Sequence, residues 1–285
     1  MIHSNAKRAS LPPTAPEAFL EGEADAISPK AALSYLYDGG QIYFAYGRGF
    51  NSNFGPTFEW DGAQYARPEN RPSELDSYEL GWKGRAFADR LQFETAIFYT
   101  EQTNRRQTIP NPDAADDFTV PGNLITYGSL YASRGFEASL RYTPSETTSF
   151  TAQYTWLDPE WKDYVVETFS GPVDLSGKTP TGVSENIVFL AAEHQFTPWL
   201  TGRATAEFYD DYMVTQDNSI RGGGYELLNL GATISPEAWN GATLDLMVTN
   251  ALDEEYYFLF GGREDANYAT PGPPRQFRAT LRARF

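Results

Sequence analysis

From about residue 30 to the end of the chain, apolar and polar side chains alternate with a period of two. In the last segment, Phe277, Leu281 and Phe285 fall on one face, and the arginines at 278, 282 and 284 fall on the other. Successive side chains of a strand point to opposite faces, so this alternation predicts strands with one apolar and one polar face. The pattern recurs in about eleven segments, at residues 31–38, 41–50, 77–87, 91–102, 133–144, 149–158, 185–196, 200–212, 225–235, 242–257 and 277–285.

The connections between these segments alternate in length. Short connections lie near residues 38–40, 87–90, 144–148, 197–199 and 236–241, and long polar ones near 51–74, 103–127, 159–184, 213–224 and 258–274. This regularity is typical of an up-and-down transmembrane β-barrel, which has short periplasmic turns and long outside loops. We therefore predict an all-β fold, an antiparallel barrel portion of about 11 strands over residues 30–285. Residues 1–29, rich in Pro, Ala and Glu, are predicted to be a disordered or loop lead-in.

The strand count also predicts an orientation. If the short turns are periplasmic, the last strand ends in the periplasm and the first of eleven strands begins outside. A barrel with both termini in the periplasm has an even number of strands. We therefore expect further strands upstream, and we interpret the chain as the C-terminal portion of a larger barrel.

Composition narrows the function classes. The formal net charge of −16 argues against a nucleic-acid partner, because phosphate contacts need Lys and Arg. The chain has no Cys, and its two histidines, His3 and His194, are far apart, so we expect no metal site. Ser and Asp are too common to define a catalytic arrangement with His194, so we expect no enzymatic activity. We also expect no cofactor. No apolar run is long enough for a membrane helix, and the first residues contain no apolar core of a signal peptide.

Five stretches resemble the C-terminal half of the barrel of TonB-dependent outer-membrane receptors, and they occur in the order of that family. They are "ISPKAALSYLYDGGQIYFAYGRGFNS" (27–52), "RPSELDSYELGWKGRAFADRLQFETAIFYTE" (71–101), "SRGFEASLRYTP" (133–144), "VTNALDEEYY" (248–257) and "PGPPRQFRATLRARF" (271–285). The resemblance implies a location in the outer membrane of a Gram-negative cell and a 22-strand barrel of which this chain is about half.

The same resemblance implies a function. Such receptors take up a scarce nutrient, most often a ferric siderophore, when the TonB complex pulls on a plug domain inside the barrel. From this resemblance we expect the signal peptide, the TonB box, the plug and the first half of the barrel to lie outside this chain. The implied partners are the TonB complex, acting through the missing plug and TonB box, a ferric siderophore or other small ligand, outer-membrane lipid and the barrel assembly machinery.

The long outside loops carry the candidate ligand-binding residues. Aromatic rings and arginines there can hold an anionic metal chelate by stacking and by charge-assisted hydrogen bonds. The candidates are Trp60, Tyr65, Arg67, Arg71, Arg105, Arg106, Arg221 and Arg263. Packing within the loops and contact with lipopolysaccharide are the alternative interpretations of the same residues.

The last strand and the aromatic residues carry two further predictions. The strand resembles the C-terminal signal read by the assembly machinery, with Phe277, Leu281 and Phe285 as its residues, and its arginines are expected to face carboxylates such as Glu226 or Asp245 in the barrel interior. Aromatic residues near strand ends are predicted to form the girdles that mark the two membrane interfaces. These residues are Tyr46, Tyr99, Tyr142, Trp156, Tyr209, Tyr256 and Tyr257.

Two alternatives to a transporter remain open at this point. One is a non-transporting outer-membrane barrel, such as an adhesin or a structural protein. The other is a soluble all-β carbohydrate-binding module or hydrolase, which predicts an apolar face buried inside the fold rather than turned outward. His194, near a short connection, is expected to lie at the periplasmic edge and not in a catalytic arrangement.

Overall fold

A computed structural model describes residues 26–52, 59–60, 65–66, 72–110, 123–168, 171–263 and 266–283. Within these ranges it describes the backbone but not the side chains of residues 59–60, 65–66, 107–110, 123–127, 167–168, 258–263 and 266–268. Eleven strands form one antiparallel sheet in which every strand pairs with its neighbours along the chain. These wall strands are β1 (Lys30–Tyr37), β2 (Gly40–Asn51), β5 (Ser73–Ala86), β6 (Leu91–Pro110), β7 (Asn123–Ser145), β8 (Thr148–Asp163), β11 (Asn186–Thr197), β12 (Leu200–Tyr209), β15 (Tyr225–Ile234), β16 (Thr243–Thr249) and β19 (Gln276–Arg282).

The long connections contain four short hairpins of their own. They pair β3 (Glu59–Trp60) with β4 (Tyr65–Ala66), β9 (Val165–Thr168) with β10 (Gly171–Asp174), β13 (Tyr212–Met213) with β14 (Arg221–Gly222), and β17 (Tyr257–Arg263) with β18 (Ala266–Pro271). The one helical segment among the described residues is a 3-10 turn, Glu237–Trp239. No helix in the described part of the chain has the length and apolar character needed to cross a membrane.

This architecture confirms the predicted fold class and strand number. Connections of 38–39, 87–90, 146–147, 198–199 and 235–242 lie at one end of the sheet, and the longer ones lie at the other. His194 lies close to the short turn at 198–199, as predicted, and its Nδ1 is 2.8 Å from the Thr148 hydroxyl on the neighbouring strand. The sheet is open within the described residues, with β1 at one edge and β19 at the other.

Some predicted strand boundaries are wrong. The ladder of β6 and β7 runs through most of the predicted loop at 103–127, because polar residues beyond the apolar band still pair their backbones. The predicted strand at 242–257 ends at Thr249, where Asn250 adopts a left-handed backbone with φ of 49°. The buried Asn250 side chain donates to the Glu254 carbonyl and accepts from the Glu254 amide, and these bonds close a turn instead of extending the strand.

Each wall strand presents alternate residues to an apolar face and to a polar face. On the apolar face, Leu33, Phe44 and Leu80 are successive cross-strand partners, and Val248 pairs with Phe277 at the far edge. These side chains stay exposed, and no large side chain in the described residues is fully buried, because a single sheet has no second layer to cover it. An exposed continuous apolar face is what a membrane wall requires, and it is the opposite of what the soluble alternative predicts.

A row of tyrosines crosses the apolar face toward the long-loop end. Tyr46, Tyr78 and Tyr99 are cross-strand partners, and their ring centroids are 5.1 and 6.5 Å apart. One step beyond this row the same face becomes charged. Arg48 at this position forms an ion pair with Asp76, with 2.7 Å between the guanidinium nitrogen and the carboxylate oxygen. This change marks where the strands leave the apolar band, so Tyr46 and Tyr99 occupy the girdle position predicted for them.

Two of the predicted girdle residues lie elsewhere. Tyr209 follows Phe208, whose partner Val188 is on the apolar face, so alternation places Tyr209 on the polar face. Tyr209 pairs with Tyr225, and the Tyr225 ring lies 4.7 Å from the buried ring of Tyr256. Tyr209 and Tyr256 therefore belong to a tyrosine cluster on the polar side rather than to a membrane girdle.

The arginines of the last strand lie on the polar face, as predicted. Arg282 forms an ion pair with Asp245 on the adjacent strand β16, and Arg278 contacts the sulfur of Met247. The other predicted carboxylate is wrong: Glu226 pairs with Phe208, so it lies on the apolar face and two strands away from β19. Arg284 and Phe285 lie outside the described residues.

Candidate functional site

An aromatic cluster with one arginine lies on the polar side of β6, β7 and β8, at the long-loop end. Trp161 pairs with Tyr131, and their rings meet edge to face at 5.5 Å. Tyr164 stacks on Trp161 with ring centroids 4.2 Å apart. The guanidinium carbon of Arg105 lies 4.9 Å from the centre of the Trp161 ring. We call these four residues the Trp161 cluster.

The following loop holds the backbone of the Trp161 cluster. The Trp161 amide donates to the carbonyl of Lys178 at 2.9 Å, and the Gly177 amide donates to the Trp161 carbonyl at 2.6 Å. The Tyr164 amide donates to the Ser176 hydroxyl at 3.1 Å. The loop after β8 thus folds back on the end of its own strand, which fixes the two stacked rings.

The electrostatics of the cluster favour an anion. Burial raises the pKa of the Tyr164 phenol, although the nearby charge of Arg105 opposes that shift, so the phenol stays neutral and able to donate a hydrogen bond. Arg105 is exposed, and no carboxylate of the described residues forms an ion pair with it. A cation stacked on an aromatic platform, with its hydrogen-bonding edge open, suits a planar anionic group.

The other predicted loop arginines differ from Arg105. Arg221 in β14 pairs with Glu185 at 3.2 Å, so its charge is already compensated within the protein. The Nε of Arg106 is buried and has no hydrogen-bond partner among the described residues. Trp60, Tyr65 and Arg263 lie in the short loop strands, but their side chains are outside the description, as are Arg67 and Arg71 altogether.

The loops after β8 and β12 pack into one unit beside the cluster. The Thr179 amide donates to Asn218 Oδ1, and Asn218 Nδ2 donates to the Thr179 carbonyl, both at 2.8 Å. Leu175 and Val214 are buried. Hydrogen bonds from Thr215 and Ser219 hold the pKa of the Asp217 carboxyl below its ordinary value. The Trp161 cluster therefore rests on an ordered loop pair.

No residues that the structure describes form a group of three or more potential metal ligands. The predicted residues of the assembly signal are only partly visible. Phe277 and Leu281 lie on the apolar face, 77% and 69% exposed, and Phe285 is outside the described residues. Their role in assembly stays a prediction.

The sequence analysis missed three members of the cluster. Trp161 and Tyr164 stand in the predicted loop at 159–184, and Tyr131 lies between the predicted loop at 103–127 and the predicted strand at 133–144. Their signal was available, because continuing the alternation of β7 and β8 past the apolar band places Tyr131 and Trp161 on the polar face. Among the predicted residues whose side chains the structure describes, only Arg105 lies in the cluster.

Comparison with known proteins identifies the family. The family model "TonB dependent receptor-like, beta-barrel" matches residues 4–251. A comparison with curated protein sequences finds no match.

Solved structures share the fold. The siderophore receptor PiuA from Acinetobacter baumannii is similar with a TM-score of 0.73 and 20% identity, over 94% of this chain and 38% of that chain. The ferric-catecholate import receptor Fiu from K12 E. coli is similar with a TM-score of 0.72 and 19% identity, over 98% of this chain and 39% of that chain. The ferric yersiniabactin uptake receptor FyuA from Yersinia pestis has a TM-score of 0.68 and 16% identity, over 90% of this chain and 37% of that chain.

The chain thus spans about two fifths of the length of these receptors. The family model covers more than half of the chain, and the eleven-stranded antiparallel sheet has the architecture of the matching barrel portion. The chain belongs to the TonB-dependent receptor-like β-barrel family.

Proposed function

We propose that this protein works in the outer membrane as part of a TonB-dependent receptor that takes up a small anionic metal chelate, most specifically a ferric siderophore. Family membership supports the class of transporter. The names of three similar structures refer to a siderophore receptor, to ferric-catecholate import and to ferric yersiniabactin uptake, which supports the choice of a ferric chelate as ligand. Because those receptors are more than twice as long, the activity belongs to the receptor assembled with its remaining parts.

The observation that carries the choice of ligand is the stack of Arg105 on Trp161. Ferric siderophores are compact, and many are anionic and built from planar chelating groups. A guanidinium over an aromatic ring offers such a ligand both a flat contact and charge-assisted hydrogen bonds. The polar face that carries the stack is the face that lines the interior of a barrel.

The same proposal assigns the remaining partners. Residues 30–285 supply wall and outside loops, and residues 1–29 lead into them. The TonB complex acts through a plug and a TonB box that lie outside this chain, and the apolar face contacts outer-membrane lipid. The assembly machinery reads the last strand through Phe277, Leu281 and Phe285. Neither a cofactor nor a nucleic acid takes part.

Uptake by cells tests the proposal. The gene, with its native upstream sequence, is expressed in a strain that lacks its own siderophore receptors, and uptake of radioactive iron is measured with a panel of ferric siderophores. We expect TonB-dependent uptake of at least one chelate, and a loss of about tenfold or more in affinity for Arg105→Ala, since that change removes charge-assisted hydrogen bonds.

Arg221→Ala is the matched control, because the charge of Arg221 is already paired with Glu185. It should leave uptake close to that of the unmodified protein. If the protein reaches the outer membrane but no chelate enters the cell, the proposal is wrong and the non-transporting barrel is favoured instead.

A further inference from the structure

Arg105 reaches the polar face only because the alternation of β6 is interrupted just before it. Tyr99 lies on the apolar face, and its hydroxyl donates to Glu101 at 2.7 Å, so the odd-numbered residues up to Glu101 share that face. Strict alternation would therefore place the Arg105 side chain on the apolar face as well. Instead, the pairing with β7 jumps from Gln102 to Arg105, and Arg105 pairs with Ser129.

Asn104 is the residue that accommodates this interruption. Its φ of 52° is in the left-handed region, which Asn tolerates better than most residues with a side chain. Inserted residues in one strand form a β-bulge, which re-aims the side chains that follow. The bulge thus exchanges the faces of the residues after it and turns Arg105 toward the polar side.

Contacts on both sides then fix the position of Arg105. The Ser129 hydroxyl donates to the Arg105 carbonyl at 3.1 Å, and Ser129 is only 4% exposed. On the opposite strand Gly128 has a φ of 128°, so irregular backbone flanks the pair on both strands. The guanidinium ends over Trp161, whose backbone the next loop holds.

We propose that Asn104 is a positioning residue of the ligand site, because its left-handed bulge aims Arg105 at the chelate bound on the Trp161 cluster. This inference rests on the proposed function for the identity of the ligand, but not for the geometry. A side chain that disfavours positive φ should restore alternation and carry Arg105 away from Trp161. Glycine, which adopts positive φ freely, should keep the bulge.

A fluorescence experiment tests the geometry without any ligand. The chain contains no Cys, so Arg105→Cys gives a single attachment point for a bimane dye, whose fluorescence is quenched by contact with tryptophan. The dye is compared on Arg105→Cys alone and combined with Asn104→Gly, Asn104→Val or Trp161→Phe. We expect strong quenching with Asn104 and with Asn104→Gly, and loss of quenching with Asn104→Val and with Trp161→Phe.

Equal quenching in the Asn104→Val and Asn104→Gly proteins would overturn the proposal. The circular dichroism of each variant is recorded first. If Asn104→Val does not fold, Asn104→Ala takes its place, because alanine is not β-branched and is therefore less strained in a left-handed conformation. The same comparison with Asn104→Gly then decides the question.

A binding experiment connects the geometry to function, with ferric citrate and the ferric complex of 2,3-dihydroxybenzoate as probes on the complete receptor. We expect Asn104→Val to weaken binding by the same factor as Arg105→Ala, about tenfold or more. The double variant Asn104→Val/Arg105→Ala should bind the probes no more weakly than either single variant. Asn104→Gly should bind them as the unmodified receptor does. Additive losses would overturn the proposal, because Asn104 would then act independently of Arg105.

The two experiments also separate the two proposals. If no variant and no unmodified receptor binds or takes up any chelate, the proposed function is wrong. The quenching result still decides whether Asn104 aims the side chain at position 105.

Discussion

Asn218 and Thr179 join two outer loops through reciprocal hydrogen bonds, in which one side-chain amide pairs with both backbone groups of a single residue at 2.8 Å. Asn218 does this from a left-handed backbone with φ of 62°. The pair links the loop that holds Trp161 to the loop that carries Arg221. The shape of the candidate site therefore depends on a contact between segments 39 residues apart in the chain.

Asn218→Gly should weaken this junction. Glycine keeps the positive φ but removes both side-chain hydrogen bonds, at a cost of about 1–3 kcal/mol in local stability. Hydrogen exchange of the Thr179 amide should therefore become about tenfold faster or more. Asn240→Gly is the control, because Asn240 has a similar φ of 48° in the short turn at the opposite end of the sheet. Unchanged exchange in Asn218→Gly would contradict the prediction.

The loop around Asp217 should respond to acid. Hydrogen bonds from Thr215 and from Ser219 lower the pKa of the Asp217 carboxyl in the folded loop. The Ser219 amide donates to this carboxylate at 3.1 Å and the Ser219 hydroxyl donates at 2.8 Å. A lowered folded pKa means that stabilisation is present above the ordinary value of about 3.9 and is lost as the pH falls through the lowered value.

The measurement is the protection of the Ser219 amide against hydrogen exchange between pH 7 and pH 2. Protection should be constant down to about pH 4 and fall below it, since about 3.9 is the ordinary carboxyl pKa. In Asp217→Asn the fall should disappear, because an amide does not titrate in this range. A fall of the same size in Asp217→Asn would assign the effect to another group.

The sequence predicted the wall well because alternation is a local property of each strand. The wall strands, the connections between them and the polar-face positions of Arg278 and Arg282 all followed from this alternation. Tyr209 was misplaced because nearness to a strand end was weighed above that count, and Glu226 was misplaced because it was chosen as a carboxylate on a neighbouring strand without counting its face. Continuing the alternation from Leu228 or from Phe208 would have placed both correctly.

The candidate site was harder to predict, because it depends on departures from alternation. The bulge at Asn104 reverses the face of Arg105, and neither the bulge nor its effect is visible in a periodic pattern. Tyr256 lies in a turn without periodicity, and only tertiary packing brings it to Tyr225. The sequence thus predicted the scaffold, whereas local irregularities and loop packing determine where the functional groups point.

Gly81 should be sensitive to substitution because the Tyr43 ring lies directly on it. A Cβ added at Gly81 would fall 2.2 Å from Cζ of Tyr43, which is far inside contact distance. Gly81→Ala should therefore force the ring away and lower the free energy of unfolding by about 1–3 kcal/mol, measured by urea denaturation in detergent micelles. Tyr43→Ala combined with Gly81→Ala should recover part of this overpacking cost.

Gly49→Ala is the matched control on the adjacent strand. A Cβ there meets nothing within 4 Å, and its φ is not positive. The substitution should be neutral or slightly stabilising, because alanine has less backbone freedom to lose on folding. Equal destabilisation by the two substitutions would show that strand propensity, and not the contact with Tyr43, is responsible.

Asp245 should anchor the last strand. It accepts a hydrogen bond from the Thr233 hydroxyl at 2.7 Å and pairs with Arg282, so it connects β15, β16 and β19. Arg282 is largely exposed, and solvent weakens its contribution, so most of the loss in Asp245→Ala should come from the hydrogen bond. We expect a measurable fall in the free energy of unfolding in detergent.

Glu226→Ala removes a carboxylate from the apolar face, whereas Asp245→Ala removes one from the polar face. Glu226 lies in the row of Phe208, where a charge beside the apolar band is unfavourable, so its removal should leave stability unchanged or raise it. A greater loss of stability in Glu226→Ala than in Asp245→Ala would contradict the assignment of faces, because the polar face is the one on which a carboxylate has partners.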